Sequence, residues 1–193
     1  ATPQVCTLFL PLWQGRALTR RGDPDGAPAK FTEAQALNPA LVIDPHQEVN
    51  RQYAAGLIRK VIGLAGRGEI TASLATISQA LQLDSHVAID GDTWHSLCRN
   101  GSLYGFAQQV LSACEEAVAA APKNGSIRDS RGLARALTGD VPGALADFEL
   151  AVRWAAEQGN RDSFIETRQV WLKALQAGEN PFTAALLAQL REE

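Results

Sequence analysis

Apolar positions along this chain recur at spacings of three and four, the period of a helix with one buried face. Leu57, Val61 and Leu64 mark one such stripe, Phe148 and Ala151 another, and Trp171, Leu172 and Leu175 a third. β-branched residues rarely alternate with polar ones, so strand patterns are missing. The pattern predicts ten helices, over about 10–21, 26–37, 46–66, 70–83, 92–100, 105–120, 127–138, 142–158, 162–176 and 182–191. Asp44-Pro45 and Asn180-Pro181 place a capping side chain before a proline suited to the first helical turn. Ser126-Ile-Arg-Asp129 reads as a capping box. Gly22, Gly68, Gly139, Gly159 and Gly178 stand where helices should stop. Val5–Phe9 reads as an extended lead-in, because Pro11 argues against a helix running through it.

The helices carry an internal repeat. Gly132, Gly139-Asp140, Gly143-Ala144, Ala146, Phe148 and Ala151 are matched without a gap, 117 positions earlier, by Gly15, Gly22-Asp23, Gly26-Ala27, Ala29, Phe31 and Ala34. A displacement of 34 sets Trp94, Leu97, Cys98, Gly105 and Ala117 on Arg128, Arg131, Gly132, Gly139 and Ala151, so the small residues agree and the large ones do not. Leu57, Val61, Leu64, Gly68, Ser73, Ile77 and Ala80 keep the same spacing with several substitutions. Such periods are the mark of stacked supersecondary units. Gly132 and Ala144 are expected where the two helices of a hairpin cross, since only small side chains allow close approach. Gly139-Asp140 supplies a left-handed turn residue and then a cap.

On these residues the chain resembles the tetratricopeptide repeat, a helix–turn–helix unit of 34 residues. Trp94-x-x-Leu97-Cys98 is similar to the opening signature of that family, with Cys in place of Gly, and Ala117 and Pro122 match the later Ala and terminal Pro. Gly15, Ala27, Phe31, Ala34 and Pro39 match the small-residue skeleton of the first unit. The sequence departs at the family's Tyr position, occupied here by Leu18, Leu64, Gly101 and Arg135. The resemblance implies one all-α domain over 1–193, a right-handed superhelical array of antiparallel hairpins. Its units would be about 8–41, 54–87, 91–124 and 125–158, closed by a capping hairpin over 159–193. Arg128–Asp140 and Gly178–Phe182 also resemble helical tails of large bacterial signalling proteins. A first residue Ala1 and the lack of any Met agree with a processed form or a piece of something longer.

Composition narrows the function classes. Ala and Leu are the commonest residues and aromatics make up 6%, a helical balance. The chain is 46% hydrophobic with a formal charge of −3, which argues for a folded domain over disorder. A pI near 5.7 removes the basic footprint expected of a nucleic-acid binder. No apolar run approaches the roughly 20 residues that cross a bilayer. Three cysteines, Cys6, Cys98 and Cys114, are too few for a disulfide scaffold, so a reducing, cytoplasmic compartment is the expectation.

Chemistry is sparse. His95 and Cys98 are three apart, with Cys114 on the partner helix, and three such ligands suit zinc. Packing explains the cysteines as well, because free Cys behaves as a small hydrophobe. Gly63–Gly68 follows a helix and lacks a Gly-Lys-Ser/Thr ending, so it reads as a helix stop and not a phosphate loop. No nucleophile–base–oxyanion constellation is visible, and neither catalysis nor a cofactor is expected.

Surface remains. In stacked hairpins the first helices line a concave groove. Projected onto it, Arg16, Arg20, Arg59, His95, Arg99 and Asp129 form the expected partner-binding surface, with Phe9, Leu12, Ile58, Ile62, Ser102, Ser126 and Leu133 nearby. The arginines make a basic stripe suited to an acidic protein or peptide. Self-assembly is the alternative, and a metal-dependent site at His95, Cys98 and Cys114 a further one. Trp13 is the tryptophan expected to be exposed.

Overall fold

The computed structural model describes residues 3–21, 26–41, 44–159 and 162–192, with side chains in the first stretch described over 10–19. Gly22 and Asp23 of the repeat and the side chains of Cys6, Phe9 and Arg20 lie outside the described residues. Ten helices and no strand are present among the described residues. They are α1 (Pro3–Arg21), α2 (Gly26–Leu37), α3 (Pro45–Gly66), α4 (Ile70–Leu83), α5 (Gly91–Leu103), α6 (Ala107–Ala120), α7 (Gly125–Leu137), α8 (Val141–Gln158), α9 (Asp162–Gln176) and α10 (Ala184–Arg191). The protein is all-α.

Most ends follow the expected chemistry. Asp44 Oδ1 accepts from the His46 and Gln47 amides, 2.9 and 3.2 Å away, at the start of α3. Gly139 has φ +89°, and Asp140 then caps α8 by accepting from Gly143 N at 3.0 Å. Three ends differ. α1 reaches back to Pro3 through Pro11, where an extended lead-in was expected. Proline removes a backbone donor and crowds the preceding turn. Pro11 is buried and α1 packs on α2, so tertiary burial offsets that local cost. The cap of α7 is Asn124, which accepts from Ser126 N at 3.0 Å, and no Ser126–Asp129 box forms because Asp129 is bonded to α9. α10 starts at Ala184 with Thr183 as cap, while Phe182, expected in the helix, is buried ahead of it.

The chain divides into two compact units, residues 1–60 with 74–88 and residues 61–73 with 89–193. In the first, α1 packs on α2 with Ala27, Phe31 and Ala34 fully buried. A Cβ built on Gly15 would stand 2.9 Å from the Phe31 ring, so the helices touch where only glycine fits. In the second, α5 packs on α6 and α7 on α8, with α6 also on α7 and α8 on α9. The close approach recurs in α7 and α8, where a Cβ on Gly132 would lie 3.0 Å from the Phe148 ring. In α5 and α6 the residues at the matching positions are Cys98 and Cys114. They form a fully buried disulfide, with Cα atoms 4.8 Å apart and a sequence separation of 16. This corrects the expectation of free thiols. Packing does place both cysteines at the crossing, but face to face at a distance a disulfide spans. The expectation of a reducing compartment rested on too few cysteines for a disulfide scaffold, and a disulfide between two of the three takes away that support.

Around the α7–α8 crossing, Phe148, Trp171 and Phe182 form a triangle of rings with centroids 5.6, 6.0 and 5.0 Å apart. Leu103, Leu133, Leu175 and Leu190 are buried in the same cluster. Each such side chain contributes about 1.5–3 kcal/mol on burial. Beside it the buried Asp147 of α8 accepts from Arg131 Nε and Nη2 at 2.8 and 2.7 Å, Arg135 Nη1 at 3.0 Å and Arg128 Nη1 at 3.3 Å. Glu115 of α6 joins Arg131 and Arg135 at 2.6 and 2.8 Å. Arg135 thus ties three helices by charge.

The crossing yields a direct prediction. Gly132→Leu overpacks it against Phe148 and should cost about 1–3 kcal/mol, read as a lowered urea midpoint. Melting like wild type would show that the crossing does not limit the approach of α7 to α8.

Candidate functional site

α5, α7 and α9 supply the walls of a cavity of about 470 Å³ in the second unit, lined by His95, Arg99, Ser126, Asp129, Ser130, Ser163, Phe164, Thr167 and Arg168. Local helix geometry accounts for the wall. His95 and Arg99 are four apart and share a face of α5, Ser126 and Ser130 share one of α7, and Phe164 and Arg168 share one of α9.

The floor is an ion pair. Arg168 Nε donates to Asp129 Oδ1 at 3.0 Å and Nη2 to Oδ2 at 2.8 Å, and both side chains are 8% exposed. The guanidinium carbon stands 3.9 Å from the Phe164 ring centre and 4.4 Å from that of Trp171. A planar, forked cation held at both oxygens of a carboxylate and stacked on aromatics is the geometry that favours arginine over lysine. Removing either partner would strand a buried charge.

His95 Nε2 lies 3.0 Å from Ser130 Oγ, and that hydroxyl donates to the Ser126 carbonyl at 3.1 Å. A Ser130 proton given to that carbonyl leaves the Ser130 oxygen to accept from His95 Nε2 in the tautomer that carries its proton there. The contact orients the imidazole. Burial pushes the His95 pKa below its usual 6.5, the positive Arg99 lowers it further, and Asp92 and Asp129 oppose the shift. His95 is therefore neutral at pH 7. The lining then carries Arg99 and Arg168 as cations against the single carboxylate Asp129, an excess of positive charge.

Arg99 is held differently from Arg168. Its Nη2 donates to the Leu190 carbonyl of α10 at 3.2 Å, a neutral acceptor. The helix expected to pair with α9 as a terminal hairpin is packed against α5.

Of the six expected groove residues, His95, Arg99 and Asp129 come together here, though the Asp129 carboxylate is committed to Arg168. Ser126 lines the cavity, whereas Leu133 is buried in the core and Ser102 is buried with its hydroxyl donating to the Cys98 carbonyl at 2.7 Å. Arg16 and Arg59 belong to the first unit. Arg16 Nε is 3.7 Å from Glu48 Oε1, and Arg59 lines a separate cavity of about 360 Å³ with Thr19, Gln52 and Tyr53. Arg20 is among those whose side chains are not described. Arg168 and Phe164, central to the site, were not expected. Their spacing of four on α9 is the one available signal, and it does not reveal that they face α7.

Among the described residues no group of three His, Cys, Asp or Glu is placed to hold a metal ion. The Cys98 and Cys114 sulfurs are bonded to each other and do not present the thiolates that the zinc alternative requires. No described helix is long and apolar enough to cross a membrane.

Comparison with protein-family models, with curated proteins and with solved structures finds no match to this chain.

The lowered pKa of His95 has a consequence for stability. The unfolded chain binds this proton at higher pH than the folded one, so the contribution is complete well above pH 6.5 and is lost as pH falls through that value towards the folded pKa. His95→Gln should lose less stability than wild type between pH 7.5 and pH 5 in paired urea titrations. Parallel losses would mean that His95 titrates alike in both states.

Proposed function

We propose that the protein is a non-catalytic interaction module of the tetratricopeptide type, a helical-hairpin solenoid that holds an acidic peptide segment of a partner. It would serve as a recruitment domain of a larger bacterial signalling or regulatory protein. The observation that carries this reading is the α5–α7–α9 cavity, where the first helices of two successive hairpins and the α9 that follows them present two arginines, a neutral His95 and several hydroxyls. The repeated crossing supports the hairpin part of the reading: Gly15 with Phe31, Cys98 with Cys114, and Gly132 with Phe148 do the same work at the same spacing. Arginine in a partly enclosed wall suits carboxylates, because charge-assisted bonds there are about twice as strong as neutral ones.

A specific observation favours the second reading, self-assembly. On α1, Leu10 and Trp13 are three apart and 52% and 63% exposed, an apolar strip that another copy would cover.

Two measurements separate the readings. A fluorescein-labelled octaglutamate peptide should bind the full chain at low salt and weaken as salt screens it. Arg99→Glu should weaken it at least about tenfold, the loss expected for a charged hydrogen bond. Equal affinity of the variant would remove the cavity from the account. Concentration-dependent light scattering abolished by Trp13→Glu would instead support self-assembly.

A further inference from the structure

In the second unit α5 and α10 cap each other. The last carbonyls of a helix lack partners within it. At the end of α5, Phe106 N donates to the Gly101 carbonyl and Gly105 N to that of Ser102, closing the turn and leaving Leu103 O to a different donor. That donor is Arg191 on α10, whose Nε and Nη2 reach Leu103 O at 3.0 and 2.6 Å. Arg99 on α5 in turn reaches Leu190 O near the end of α10. Arg191 also lies 4.7 Å from the centre of the Tyr104 ring. Each arginine places its charge at the negative end of the other helix.

Three leucines supply the rest of the hold on α10. Leu190 is its one buried residue, Leu186 and Leu187 are partly buried, and the remaining side chains are exposed. A helix of eight residues is too short to persist by itself in water, so α10 is helical because it is docked. Of the two arginines, Arg99 is the one that also lines the cavity. The same guanidinium thus serves the pocket and the tether.

We propose that α10 is a displaceable tether of Arg99, and that an acidic peptide entering the cavity takes Arg99 from the Leu190 carbonyl and so loosens α10. The inference rests on reading the cavity as a peptide site, and adds how that site is regulated. A carboxylate is a stronger acceptor for arginine than a neutral carbonyl, so the exchange is favourable at Arg99 and is opposed by the burial of Leu190. The apparent affinity for peptide is then set by how firmly α10 is docked. Anything that weakens α10 without touching the cavity should strengthen peptide binding.

The test uses the full chain and the labelled octaglutamate peptide, with two variants that leave the cavity lining intact. Arg191→Ala removes the bonds to Leu103 O. Thr183→Ala is milder, removing the cap that accepts from Leu186 N at 3.2 Å. Both should bind the peptide about fivefold more tightly than wild type, and peptide should speed amide hydrogen exchange over residues 184–191 of wild type. If wild type binds in an Arg99-dependent way but exchange there stays unchanged and neither variant gains affinity, the displacement is wrong and the peptide site stands. If wild type and both variants all fail to bind, the site and the regulation fall together.

Discussion

Two helices approach only as closely as the side chains at their crossing permit, and in this protein that limit is set by pairs of residues 16 positions apart. Gly15 admits the Phe31 ring, Gly132 admits the Phe148 ring, and Cys98 is bonded to Cys114. The first two solutions fill the crossing with one ring and no opposing side chain. The third divides the same space between two sulfurs. Close packing leaves no room for both a ring and a side chain opposite it, which is why the glycine and the phenylalanine belong together.

With the hairpins drawn close, the α7–α8 pair is fastened to its neighbours by charge. Arg128, Arg131 and Arg135 share one face of α7 and converge on Asp147, while Arg168 of α9 reaches back to Asp129. Buried ion pairs of this kind contribute little net stability, but each is expensive to break. Their effect here is directional. They fix which face of α7 meets α8 and which meets α9, and so decide that His95, Ser130 and Arg168 share a cavity.

The crossing residues were legible because they repeat, and repetition in a sequence is visible without knowing any contact. Gly132 stands at a crossing as the pattern expects, but the ring against it is Phe148, where Ala144 was expected; the spans of α2, α4 and α9 agree with the pattern to the residue. Cys98 was expected at the crossing and Cys114 at the position that Phe148 holds in the next unit, and a single chain offers no signal that the two sulfurs meet. Partners of Asp129 were hidden for a different reason: the Arg168 pairing spans 39 residues and depends on how α9 rotates against α7. The course of α10 was equally hidden. Its apolar stripe states that one face is buried, not which helix covers it, and Arg191 reveals its role only beside the carbonyl of Leu103. Pro11 misled because a local rule was outweighed by the burial of Pro11 itself where α1 packs on α2.

The central claim is that the Gly·Phe pair and the Cys·Cys pair are interchangeable ways of making one crossing. The most direct measurement is a double-mutant cycle at that site, followed by urea unfolding in reductant. Cys114→Phe alone should overpack against Cys98 and cost about 1–3 kcal/mol. Cys98→Gly alone should cost about 1 kcal/mol, the price of a helical glycine over a small cavity. Combined, Cys98→Gly with Cys114→Phe should fall well short of the sum and return to within about 1 kcal/mol of reduced wild type. Strict additivity, or a double variant worse than either single one, would contradict the account.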